Sequence, residues 1–195
     1  MILKKTYKKL ERMASKSGIV ALFLLAHAVL LCMMLFTFPR INAKLGTQAF
    51  DLQTLGYSHS EAITMLQNLD QPTIDLYLFP QLYLLDILYP ILLALFLSTL
   101  IIRLSNLIKI SPDHIFSNLY ILPFIAMCFD YLENIMISLM ITNPTDVSSG
   151  VIKASSIFTL VKGTFTTLSW VIIVILFVVW LVNRWTNKKH ISNDI

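Results

Sequence analysis

Apolar residues along this chain gather into four long runs, Gly18 to Phe38, about Leu76 to Leu104, Phe116 to Thr142 and Ile157 to Val182, with the polar residues collected between them. A helix needs about 20 consecutive apolar residues to cross the hydrocarbon of a bilayer, and each run reaches that length. The pattern predicts an all-α polytopic membrane four-helix bundle, with residues 1–195 as a single membrane domain. Pro80 and Pro90 in the second run and Pro123 in the third each remove a backbone donor, so bends are predicted there. No 20–50-residue period recurs, which excludes a repeat array.

One extended polar segment, 39–75, separates the first two runs. Within it Ser58 and Glu61 have the spacing of a capping box, and Ala62, Ile63, Leu66 and Leu69 fall on one helical face. That spacing predicts a short amphipathic helix in this loop, lying at the membrane surface or packed on the ends of the spans.

Composition sharpens the class. The chain is 56% hydrophobic and 13% charged, against about 45–50% and about 25% in soluble domains. Four crossings use most of its length, so no room is expected for a separate soluble catalytic domain. The net charge of +4 sits just outside the apolar runs. Lys and Arg number 11 in the N-terminal stretch, the loop between the second and third runs and the C-terminal tail, against 3 in the other two connections. This bias predicts a cell-membrane protein with both termini cytoplasmic and 39–75 outside. The basic opening reads as an uncleaved signal anchor, with cleavage near Ala43 as the alternative. Cys32 and Cys128 read as small packing residues inside the runs.

Six polar residues stand where the bilayer is driest: His27, Asp86, Asp130, Glu133, Asn134 and Lys162. A charge at the bilayer centre costs about 2.5–3.5 kcal/mol on insertion scales, so these side chains are expected to face the bundle interior and find partners. Counted from the outer ends of the runs, the five ionisable ones are five to twelve residues deep. Asp130, Glu133 and Asn134 share one helical side, as do Lys162, Thr166 and Ser169. The expectation is one polar core in the outer half of the membrane, supplied by all four helices.

Three carboxylates facing one lysine and one histidine are not expected all to ionise, and would titrate as a coupled set. Such a core serves ligand binding, proton exchange or simple packing, and the residues leave the three readings open. Histidine with carboxylates can bind a divalent cation, yet no His-x-x-x-His or Cys-x-x-Cys spacing is present, and no metal or cofactor is assigned. Phosphate-binding, nucleophile-elbow and nucleic-acid motifs are also missing, so no catalytic residue is named.

At Gly56-Tyr57-Ser58-x-x-Glu61-Ala62, Asp86-x-x-x-Pro90 and Asp130-x-x-Glu133-Asn134, the chain resembles a family of small bacterial four-span membrane proteins of uncharacterised activity. The resemblance covers about Gly56 to Lys162. It implies a four-helix membrane fold and brings no substrate or cofactor. A fold-level likeness to the sterol-isomerase and sigma-2-receptor type of membrane domain implies carboxylates around a lipid-sized cavity and transfers no residue. The resulting expectation is a protein that binds a lipid-like or small amphipathic ligand among membrane lipids. The alternatives are a structural or partner-binding subunit and a proton or ion pathway.

Overall fold

The computed structural model describes residues 2–111 and 114–193. The side chains of Lys4, Lys188 and Lys189, counted in the charge bias, lie outside the described residues. Among the described residues eight α-helices follow in order: α1 Ile2–Met13, α2 Lys16–Cys32, α3 Phe38–Leu45, α4 His59–Gln67, α5 Gln71–Leu76, α6 Asp86–Leu107, α7 Leu122–Thr142 and α8 Ser149–Asn193. No strand occurs among the described residues. Among the described residues, four helical stretches are long and apolar enough to cross a membrane, Lys16–Leu45, Gln71–Leu107, Phe116–Thr142 and Ser149–Thr186, and they are called the first to fourth spans below.

The helices overrun the apolar patches that predict them. α8 begins at Ser149, well before Ile157, because hydropathy marks the apolar part of a helix and not its ends. The second span starts at Gln71 because Asp70 accepts from the Thr73 amide at 3.1 Å and caps α5. The first span continues past Pro39, through a π-helical stretch Met33–Thr37 into α3. Much of the segment read as loop is therefore folded. Lys44 pairs with Asp70 at 2.7 Å, and the ammonium with the Thr73 hydroxyl holds the Asp70 carboxyl down at about 2.

Pro80 interrupts the second span more sharply than a bend. Phe79 leaves helical geometry at φ −139°, ψ 126°, and Tyr77–Leu85 is wound as a π-helix before α6 resumes at Asp86. The basic opening, expected as the charged lead-in to a signal anchor, is itself a helix, α1, and Tyr7 and Leu10 on it and Ala14 just after it are buried. Tyr7 donates to Asn106 Oδ1 at 3.0 Å and Asn106 donates to Glu11 at 3.0 Å, tying α1 to the end of α6. Cys128 is exposed, which corrects its reading as a packing residue, whereas Cys32 is half-buried.

Two apolar cores divide the bundle. One, nearest the segment between the first two spans, centres on Phe38, Ile41, Phe50, Leu66, Ile137 and Ile152. Its inward face of α4 is Ala62, Met65 and Leu66, under the expected capping box of Ser58 and Glu61. The other core centres on Leu22, Leu97, Ile101, Tyr120, Ile173 and Leu176. On the third and fourth spans, Asp130, Glu133 and Lys162 fall between the residues of the two cores, and Asp86 on the second lies at the edge of the first core.

Candidate functional site

Lys162 of α8 organises the polar layer. Its ammonium donates to Asp130 Oδ1 at 2.9 Å and lies 2.5 Å from Glu133 Oε2, both on α7. Glu133 is fully buried, and Thr159 donates to its other oxygen at 2.5 Å. The i, i+3 spacing of Asp130 and Glu133 sets the two carboxylates side by side to receive one lysine. Asp86 is buried on α6, within electrostatic reach of Asp130, Lys162 and Glu133, and its Oδ2 has no partner.

Asn134 joins this layer through the backbone. Pro90 is the residue whose N–H would bond the Asp86 carbonyl in a regular helix, and proline has none. The Asn134 side chain fills the gap, donating from Nδ2 to Asp86 O at 3.1 Å. The Asp86-x-x-x-Pro90 spacing and Asn134 are thus two halves of one contact between the second and third spans.

His27 does not join the cluster, which corrects its place in the expected core. Its ring lies 2.8 Å from the Phe23 carbonyl and packs on Phe23 and Phe96. The cause is local: the carbonyl one turn earlier is within reach and satisfies the imidazole on its own helix. Ser169, though on the Lys162 side of α8, likewise turns back to the Phe165 carbonyl at 2.7 Å.

The segment between the first two spans supplies what the sequence reading lacks. Asp51, in a short 3₁₀ turn Phe50–Leu52, is buried and accepts from the Tyr77 hydroxyl, which in turn accepts from the Phe50 amide at 3.0 Å. It is a fourth carboxylate within reach of Lys162 and Asp130, and its Oδ2 is unpartnered. Tyr57, whose hydroxyl is buried without a hydrogen-bond partner, lies within electrostatic reach of Glu133 and borders a polar cleft of about 420 Å³ under α4. Ser155 and Thr159 extend the Lys162 face of α8 backward by two turns, a signal present in the sequence spacing. Nothing local marks Asp51, one acid in a polar stretch.

Burial pushes the Asp51 carboxyl above its ordinary value of 3.8, against the pull of Lys162 and the Tyr77 hydrogen bond. The folded state then binds this proton more tightly than the unfolded chain, so Asp51 lowers stability as pH rises from about 3.8 through the raised value. Asp51→Asn should flatten that decline and raise the neutral-pH melting temperature, read from thermal unfolding in detergent across a pH series. An unchanged pH profile would remove Asp51 from the titrating set.

Among the described residues, no group of three or more His, Cys, Asp or Glu is placed to hold a metal ion. Asp130 and Glu133 pair with Lys162, and Asp51 and Asp86 lie within its electrostatic reach, so the arrangement gathers several hydrogen-bond acceptors around one cation. No protein-family model, curated protein or solved structure matches this chain, and its functional reading therefore rests on this geometry.

Proposed function

We propose that this chain is a multi-pass membrane protein, both termini cytoplasmic, that holds a lipid-like or small amphipathic molecule at its polar layer. Large apolar side chains directed outward support the bilayer setting: Val20, Leu24, Leu35 and Phe36 on the first span, Val174, Ile175 and Val182 on the fourth. The 11-to-3 charge bias supports the orientation. Cysteines at Leu55 and Lys8, both exposed, test it. An impermeant maleimide applied to intact cells should label Leu55→Cys at once and Lys8→Cys only after lysis. Labelling of both from one side would refute the topology.

The observation that carries the ligand reading is the pair of buried, unpartnered carboxylate oxygens, Asp51 Oδ2 and Asp86 Oδ2, beside a lysine already engaged elsewhere. Buried polar atoms in native proteins nearly always have partners, and a layer built only for packing would close its bonds internally. In this reading the open oxygens of Asp51 and Asp86 accept from the ligand, and Asp130 and Glu133 bind or exchange protons with it beside Lys162. Asp86 and Lys162 set their charge, and the segment Gly56 to Leu69 covers the site. Asp86→Asn keeps shape and the backbone bond to Asn134 while removing the charge. Mass spectrometry of purified protein should find lipid in the wild type and little in Asp86→Asn, with equal or higher unfolding temperature in detergent. Full lipid retention in the variant would sink the reading.

One observation favours a structural or partner-binding subunit instead. The Lys162–Asp130, Lys162–Glu133 and Thr159–Glu133 contacts form a strut between the third and fourth spans, sufficient by itself to fix their register. A proton or ion pathway draws no support from the second core, where Leu97, Ile101, Tyr120 and Leu176 fill the bundle below the polar layer.

A further inference from the structure

A groove of about 470 Å³ runs between the second and third spans, on the loop-side half of the bundle. It opens where the interrupted, π-helical stretch Tyr77–Leu85 and the first turn of α6 pass α7. Its volume is within the range of small-molecule sites, about 300–1,000 Å³. Ile87, Ile135 and Leu139 give it apolar walls that face outward, being 48%, 52% and 47% exposed. No charged side chain lines it.

Two polar atoms in its wall lack partners, Asn134 Oδ1 and Ser138 Oγ, one turn apart on α7. The orientation of the Asn134 amide follows from its other end. Nδ2 is committed to the Asp86 carbonyl that Pro90 leaves unbonded, so the free end is the acceptor. Asn134 is only 8% exposed, so its oxygen sits deep in the wall where water is scarce. A ligand that satisfies this wall must donate a hydrogen bond to Asn134, and Ser138 can donate or accept beside it. A phosphate or carboxylate head would meet no cation and lose its hydration. An ester head has no proton to give.

We infer that this groove binds a neutral, single-chain, hydroxyl-bearing lipid, its hydroxyl on Asn134 and Ser138 and its chain along Ile87, Ile135 and Leu139. The inference rests on the lipid-binding reading above and names the ligand's chemistry and its place. Asp86 connects the two, carrying the carbonyl that orients Asn134 and a carboxylate of the polar layer.

The test uses the purified full chain in nanodiscs and a diazirine-bearing hexadecanol, with crosslinked peptides identified by mass spectrometry. Labelling should map to Ile135 and Leu139. Unlabelled hexadecanol should compete, while hexadecanoate and its methyl ester compete about five- to tenfold less well, the factor one neutral hydrogen bond is worth. Ser138→Ala should weaken labelling by a similar factor. Leu139→Trp, which fills the groove from an exposed position, should abolish it in a folded protein. Equal competition by the methyl ester, or undiminished labelling of Leu139→Trp, would overturn the inference. If Leu139→Trp abolishes labelling while Asp86→Asn keeps its copurified lipid, the groove stands and the polar-layer reading fails. If Asp86→Asn loses lipid while Leu139→Trp labels as wild type, the groove alone fails.

Discussion

Replacing Lys162 with Met should destabilise the protein by about 3–5 kcal/mol, the usual cost of removing one partner from a buried ion pair. Asp130 and Glu133 would keep their positions with no counter-charge, and Glu133 is fully buried, so water cannot compensate it. The loss should be specific to the unbalanced charge and not to the missing side chain. Adding Glu133→Gln and Asp130→Asn to Lys162→Met removes the stranded carboxylates and should recover most of the stability. Thermal unfolding of the three proteins in the same detergent is the measurement. A Lys162→Met variant as stable as wild type would show that the lysine is not held as a buried pair.

Gly56→Ala should cost about 2–5 kcal/mol, combining the roughly 1–2 kcal/mol of a left-handed backbone with the roughly 1–3 kcal/mol of overpacking. Gly56 has φ +74°, and a Cβ there would stand 2.7 Å from Ser156 Oγ and 3.4 Å from Leu160 Cγ on α8. The next residue donates its amide to the same Ser156 hydroxyl at 2.9 Å, so the chain cannot back away without losing that bond. Gly46 is the control: φ is +73°, but its nearest neighbour to a new Cβ is Asn68 Nδ2 at 3.9 Å. Gly46→Ala should therefore show only the backbone part, about 1–2 kcal/mol. Thermal unfolding will separate them, and proteolysis of the segment between the first two spans should accelerate in Gly56→Ala alone. Equal losses in the two variants would mean that contact with α8 contributes nothing.

The polar layer was legible in the sequence wherever a side chain's partner lies on a long apolar helix. Asp130, Glu133 and Lys162 stand out because a charge inside an apolar run has to be paired, and their helical spacing says which way they point. His27 stood out for the same reason and misled, because a histidine can be satisfied by its own helix through the Phe23 carbonyl. Asp51 was invisible, since a carboxylate among polar residues carries no sign of being carried inward. Its burial depends on Tyr77, 26 residues later, and on the Phe50 turn packing against the bundle.

Four apolar runs, the capping box at Ser58 and Glu61, and the demand that buried charges find partners were determined by the sequence alone, because each follows from local spacing and the cost of desolvation. Which partners they find was decided only in three dimensions. Pro90 frees the Asp86 carbonyl by its chemistry, but that Asn134 takes it depends on how the second and third spans cross. The groove beside Asn134 depends on the interruption at Phe79 and the π-helical turns after it, which no periodicity announces. The same holds for Asp51 and Tyr57, which reach the polar layer because the segment between the first two spans folds back onto the bundle. Helix formation and burial are satisfied residue by residue along the chain, whereas the closing of a polar layer between two apolar cores is a property of the packed whole.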